Sequence, residues 1–200
     1  AVGFDMGQND RMLVNLPPSH VGCTTEQLAT TMYGGGTSVL LHVFDPELSM
    51  KAIQEHRITV LGQIPALFNM EWRLPNYPSY DISSIRFVLY GGQAVSIEFL
   101  RKMREMAPRM GTGLGLTETA GFCTYTNVDA DIEDIAKGIG YDMPVTPISI
   151  RDIMKPDGSA GEAKKKGEIG EICFSGPQVF LGYLNDPENT AKTISADGVC

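Results

Sequence analysis

"SIRFVLYGGQAVSIEFLRKMREMAP", residues 84–108, changes its apolar period half-way, and that change decides the fold. Residues 84–90 form a short apolar run of β type that Gly91 and Gly92 bring to a stop. From Ser96, a fitting N-cap, apolar residues recur at helical spacing: Ile97, Leu100, Met103 and Ala107 fall on one face, and Pro108 ends the pattern. The same alternation extends upstream. Strands are predicted over 11–17, 37–44 and 58–65, and helices over 24–35, 45–57 (with Asp45 as N-cap and Pro46 at the first position) and 66–74. Strand–helix–strand units at this spacing build a mainly parallel sheet with ligands at the carboxyl ends of its strands.

Beyond about residue 137 the character changes. Residues 145–154 alternate apolar and polar, "KPDG" at 155–158 is a hairpin turn, and 167–176 and 178–184 read as further short strands. The fold class is α/β: a layered αβα part with a mainly parallel sheet over 1–136, then the start of an antiparallel β-barrel over 137–200.

Composition sets the outer bounds. Two hundred residues, 42% hydrophobic and 20% charged, suit a globular chain. A net charge of −8 argues against nucleic acid as a partner, because phosphate binding needs Lys/Arg neutralisation and the only basic run is Lys164-Lys165-Lys166. No apolar run nears the ~20 residues of a membrane span. Cys23, Cys123, Cys173 and Cys200 lack C-x-x-C spacing, which points to reduced thiols in a cytoplasmic chain rather than a zinc site. The absence of an initiator Met and the Asp197-Gly198 turn near the end suggest a piece of a longer protein. Excision would expose apolar surface and favour self-association.

Three segments could carry chemistry. Gly91 and Gly92 at a strand end would let a flat ring or a phosphate approach the backbone, or would simply turn the chain into the next helix. The second segment is "GTGLGLTETAG", 111–121, which spaces Gly111, Gly113 and Gly115 two apart and then supplies Thr117 and Glu118. It lacks the Lys of a P-loop and the spacing of a dinucleotide fingerprint. Thr117 could donate to a phosphate and Glu118 could hold Mg²⁺, or both could merely cap a helix. His20 in "LPPSHVGC" is a lone histidine after an apolar run, either structural or functional. No G-x-S-x-G or H-E-x-x-H occurs, which removes the usual hydrolases and metalloproteases. "GYLNDPENT" at 182–190 reads as a connecting turn into a capped helix.

Taken in order, "LPPSHVGC", "YGGQAVS", "GLGLTETAG" and "GEIGEICFSGPQVFLGYLNDPENTAKTISADG" resemble four motifs of the adenylate-forming superfamily, which includes acyl-CoA synthetases, beetle luciferases and peptide-synthetase adenylation domains. The resemblance spans nearly the whole chain. It implies an internal fragment of the large N-terminal domain of an AMP-forming acid–CoA ligase using ATP, Mg²⁺ and CoA on a small-molecule carboxylic acid. It places Thr117 at the α-phosphate and Glu118 on Mg²⁺. Gly113, Leu114, Gly115 and Leu116 would line the nucleotide, Gly91, Gly92 and Gln93 would lie along the adenine and acyl pocket, and His20 beside the acyl carboxylate. Leu114 stands where the family has an aromatic, and Gln93-Ala94 where it has Ala-Pro.

The family's phosphate loop would lie upstream, and its ribose-binding Asp and C-terminal lid downstream, so the fragment alone is expected to be inactive. "HVGCTTEQL" has no Asp to meet an α-ammonium group, which favours a fatty or aryl acid. Two other readings are an adenylating enzyme with another acceptor (a carrier-protein thiol or a luciferase-like oxidation) and a silent nucleotide-binding module.

Overall fold

A computed structural model of the chain describes residues 5–200; residues 1–4, the start of the segment expected to be αβα, lie outside the described residues. The chain divides into two compact units. One runs to Leu114 and resumes over Thr124–Tyr141; the other comprises Gly115–Cys123 and Asp142–Cys200.

The first unit is built on five parallel strands, β1 (Arg11–Val14), β2 (Thr37–Leu40), β3 (Val60–Gln63), β4 (Phe87–Tyr90) and β5 (Arg109–Thr112), in the order β2-β1-β3-β4-β5. Every residue of β3 and β4 is buried, as expected of strands covered on both faces. The crossovers are α1 (Thr30–Gly34), α2 (Pro46–His56), α3 (Pro65–Trp72) and α4 (Ile97–Met106), with α5 (Ile132–Ala136) later in the unit. Asp45 caps α2 through Oδ1, which accepts the Glu47 and Leu48 amides at 2.9 Å. The core gathers Leu13, Met50, Ile53, Leu61, Phe68, Val88, Leu100, Met103 and Met110.

Several expectations need correction. The helix predicted through Ala107 stops at Met106, because the following Pro108 pushes Ala107 into extended backbone. The strand predicted over 37–44 ends at Leu40: its partner β1 stops at Val14, whose carbonyl takes the last ladder bond from Leu41 at 2.9 Å. Residues 109–112, read as part of a glycine loop, form β5. Gly111 fits there because a Cβ would meet Thr126 Oγ1 at 3.2 Å and the Phe87 ring at 3.6 Å. The helix predicted over 24–35 begins earlier, as a π-helix over Gly22–Ala29, and becomes α only over α1.

In the second unit, β6 (Gly115–Leu116) pairs antiparallel with β7 (Gly121–Phe122), and β8 (Ile148–Arg151) pairs antiparallel with β9 (Glu171–Phe174). The "KPDG" turn closes with the Gly158 amide on the Lys155 carbonyl at 2.9 Å. Residues 178–184 are not the strand predicted. Gly176 and Gly182 take φ of 103° and 138°, and the Phe180 amide goes to the Glu118 carbonyl at 2.7 Å instead of a ladder partner. A short helix, α6 (Pro187–Thr193), follows under an Asp186 cap. The fold is thus α/β, a parallel five-stranded sheet with small antiparallel sheets. No helix among the described residues is long and apolar enough to cross a membrane.

A chain of buried polar side chains crosses the carboxyl end of the parallel sheet. Ser49 Oγ donates to Glu71 Oε1 and Gln63 Nε2 to Glu71 Oε2, both at 2.6 Å. Asn15 Nδ2 donates to Gln63 Oε1 at 2.6 Å, and Gln27 Nε2 donates to Asn15 Oδ1 and to the Gly62 carbonyl. Gln27 Oε1 accepts the Leu16 amide at 3.2 Å. Burial pushes the Glu71 carboxyl up to about 7, against the two hydrogen bonds that favour its ionised form.

Because the folded value lies above the ordinary one of 4.5, the folded state holds the proton more tightly, and stability declines as pH rises from 4.5 towards 7, then levels. Glu71→Gln, which keeps the shape and can still bridge Ser49 and Gln63, should flatten this slope and leave the variant more stable than the parent at pH 8 by about 3 kcal/mol. Denaturant titrations between pH 4.5 and 8 measure it; a parallel slope in both proteins would count against it.

Candidate functional site

In the β2-β1-β3-β4-β5 order the strand sequence reverses at β1, and the crevice at the carboxyl ends beside that reversal is where ligands of open parallel sheets bind. Connections leave this edge of the first unit through His20 after β1, Ile64 after β3, Gly91–Gly92 after β4 and Gly113–Leu114 after β5. Gly92 has φ of 90°, a conformation that favours glycine, and a Cβ there would lie 3.5 Å from Ile64 Cγ2. Gly92 and Gln93 are exposed and Gly91 is half-buried. The helix after them does not start at the glycines. Gln93, Ala94, Val95 and Ser96 intervene, and Ser96 Oγ already accepts the Phe99 amide at 3.3 Å.

His20 is exposed, and its Nδ1 accepts the Gly22 amide at 2.9 Å, which leaves the proton of the neutral ring on Nε2. The imidazole therefore terminates the π-helix and presents an N–H donor. Gln27, on that same helix, ties it to the buried polar chain.

In the second unit, Gly115 to Gly121 forms a two-stranded turn. A Cβ on Gly115 would sit 2.5 Å from the Gly121 carbonyl oxygen, so this glycine is required by close approach. Thr117–Thr119 makes a single 3₁₀ turn that ends at Ala120 in the left-handed region, and no helix follows for Thr117 and Glu118 to cap. Thr119, missed in the sequence, is the brace: fully buried, its Oγ1 accepts the Leu116 amide at 3.0 Å and donates to the Gly121 carbonyl at 3.0 Å. Leu116 and Thr117 are exposed, and no protein group among the described residues engages the Thr117 hydroxyl.

Gly113 and Leu114, in the first unit, are half-buried, and the Leu114 amide donates to Thr124 Oγ1 at 2.8 Å. Thr126 thus takes the amide of Thr112, the last residue of β5, and Thr124 one just beyond it, as Thr119 does in its turn. Their spacing in "TETAGFCTYT" was the available signal.

Glu118 is half-buried, and Tyr183, read in the sequence as part of a connecting loop, donates its hydroxyl to Glu118 Oε1 at 2.7 Å. That bond raises the phenol's pKa above its ordinary value by favouring the protonated form. Glu118 Oε2 has no protein partner among the described residues. No cluster of three or more His, Cys, Asp or Glu able to hold a metal occurs among the described residues. A carboxylate oxygen without a protein partner among the described residues suits Mg²⁺ arriving with phosphate, because that ion is commonly held by one or two carboxylates plus substrate oxygens.

A family model described as "AMP-binding enzyme" matches residues 1–184. The chain belongs to this family. Among curated relatives, 4-coumarate–CoA ligase 3 of Arabidopsis thaliana is 29% identical over 95% of this chain and 34% of its own length. Feruloyl-CoA synthase of Amycolatopsis sp. is 30% identical over 96% of this chain and 38% of its own. The chain thus spans about a third of the length of these curated relatives. The N-terminal domain of FACL13 from Mycobacterium tuberculosis superposes with a TM-score of 0.84 at 24% identity, over 100% of this chain and 48% of that one. The amide bond synthetase McbA from Marinactinospora thermotolerans superposes at 0.79 with 29% identity, over 98% and 38%.

The two threonines of the 3₁₀ turn should separate cleanly. Thr119→Val removes the hydroxyl partner of the part-buried Leu116 amide and of the buried Gly121 carbonyl and should cost about 1–3 kcal/mol. Thr117→Val, at the surface, should stay within about 0.5 kcal/mol. Equal losses in thermal unfolding would refute the assignment of these hydroxyls.

Proposed function

We propose that this chain is part of the large domain of an enzyme that activates a carboxylic acid with ATP and passes the acyl group to CoA, with 1–136 in its αβα subdomain and 137–200 opening its β-barrel. The observation that carries the reading is the 3₁₀ turn of an AMP-binding family member, which leaves the Thr117 hydroxyl and one oxygen of Glu118 without protein partners among the described residues. The named relatives act on 4-coumarate and ferulate, which supports an aryl acid over a fatty one.

The acid is ionised near pH 7 and needs no general base to attack the α-phosphorus. The obstacle is the approach of one anion to another, so catalysis rests on positioning and on donors aimed at the phosphoryl oxygens. In this reading Thr117 donates its hydroxyl to the α-phosphate. Glu118 offers Oε2 to Mg²⁺, which supplies positive charge beside the phosphates when bound. Gly113, Leu114, Gly115 and Leu116 form the nucleotide-facing backbone. Gly91 and Gly92 give close approach to the adenine, with the exposed Gln93 amide at its edge. His20 Nε2–H donates to the acyl carboxylate. CoA thiol then displaces AMP from the acyl-adenylate. Leu181 and Leu184, 102% and 90% exposed, are apolar surface through which the isolated segment would self-associate.

A second reading, transfer to an amine, is favoured by one observation: McbA, at 29% identity, is an amide bond synthetase. Both readings share the first half-reaction. The full-length protein carrying this segment should catalyse ATP–pyrophosphate exchange with an aryl acid. Glu118→Gln should lower exchange on the order of 10²-fold, and Thr117→Val by about 5- to 10-fold, the loss of one hydrogen bond. CoA consumption identifies the ligase, and amide formation without it the second reading. Absence of exchange with every acid would leave only a silent binding module.

A further inference from the structure

The "GYLNDPENT" segment is absorbed by none of the roles above, yet its tyrosine reaches 65 residues back along the chain to the candidate metal-holding carboxylate. We infer that Tyr183 is a positioning residue for Glu118: its hydroxyl fixes Oε1 so that Oε2 is held towards the cation that accompanies the nucleotide. The inference rests on the reading of Glu118 given above.

Three observations carry it, all within the second unit. First, the phenol donates to Oε1 at 2.7 Å and leaves Oε2 as the carboxylate's remaining acceptor. Second, the backbone of Glu118 is clamped by the same segment, since the Phe180 amide donates to its carbonyl at 2.7 Å. Main chain and side chain of one residue are therefore both held from residues 180–183.

Third, the phenol is itself located. The Tyr183 ring packs edge-on against Phe180 with centroids 4.9 Å apart, and its amide donates to Thr190 Oγ1 at 2.9 Å. Thr190 Oγ1 in turn donates to the Asp186 carbonyl at 2.8 Å, at the start of α6. Gly182, at φ of 138°, permits this approach, because a Cβ there would lie 2.7 Å from the Thr190 methyl group.

A half-buried glutamate otherwise samples several rotamers, and a cation that selects one must offset the lost freedom. With the hydroxyl in place that ordering is made on folding, before the nucleotide arrives. Tyr183 touches neither substrate nor cation in this arrangement and acts only through Glu118.

The test uses the full-length protein and Mn²⁺ as the spectroscopic stand-in for Mg²⁺. Free Mn²⁺ is counted by electron paramagnetic resonance as it is titrated onto the ATP complex, and exchange rates are followed against Mg²⁺ concentration. Tyr183→Phe keeps the ring on Phe180 and removes only the hydroxyl. It should weaken Mn²⁺ binding and raise the half-saturating Mg²⁺ about three- to tenfold, the cost of ordering one glutamate side chain. The rate at saturating Mg²⁺ should stay within about twofold, a split that loss of fold would not give.

Thr190→Val, which loosens the Tyr183 main chain and spares the phenol, should shift Mn²⁺ binding in the same direction by less. It also serves as the test if the Phe variant does not fold. If Glu118→Gln abolishes Mn²⁺ binding while Tyr183→Phe and Thr190→Val leave it unchanged, the positioning role is overturned and the reading of Glu118 stands. If Glu118→Gln itself leaves Mn²⁺ binding unchanged, both fail.

Discussion

A carboxyl group shut inside the first unit, with no counter-ion among the described residues, is the constraint on which the carboxyl edge of the parallel sheet depends. Glu71 can be buried only because Ser49 and Gln63 turn their donors to it, and Gln63 can do so only because its own oxygen is taken by Asn15. Each amide has one orientation once Gln27 Oε1 accepts the Leu16 main chain, so the polarity of the whole chain is fixed from that end. The ends of β1 and β3, helix α3 and the π-helix after His20 are thereby held to one another by groups that cannot exchange with water. An unpaired group at any link would meet the full desolvation cost.

This explains how much of the first unit could be read from sequence. The apolar period of α4, the caps Asp45 and Ser96 and the buried runs of β3 and β4 are local properties, written within ten residues of where they act. The polar chain is not local. Asn15, Gln27, Ser49, Gln63 and Glu71 look like ordinary surface residues until the parallel sheet brings them together. The strand β5 was missed for a related reason: its glycine reads as loop, and only the nearby Phe87 ring and Thr126 hydroxyl show that a side chain at this position would be tight.

The candidate site divides the same way. Glycines 91 and 92, Thr117 and Glu118 announce themselves by spacing. What supports them does not. Thr119, Thr124 and Thr126 each donate or accept where a strand neighbour would normally do so, and a hydroxyl used in place of a ladder leaves no periodic trace. Tyr183 was legible as part of a turn but not as the partner of Glu118, since nothing in a linear reading relates positions 118 and 183.

The π-helix between His20 and α1 has a consequence for how this edge tolerates change in length. A π-helix closes its rings one residue later than an α-helix, so the eight residues from Gly22 to Ala29 hold chain that an α-helix over the same rise would not need. Removing a single residue there would let the segment relax into regular α geometry with the chain on either side kept near its phase, because the residue lost is one the wider turn had absorbed. The adjustment would fall within the π-helix, which carries Gln27, while α1, β2 and the core kept their places. The stretch between His20 and α1 thus has a residue of length to spare.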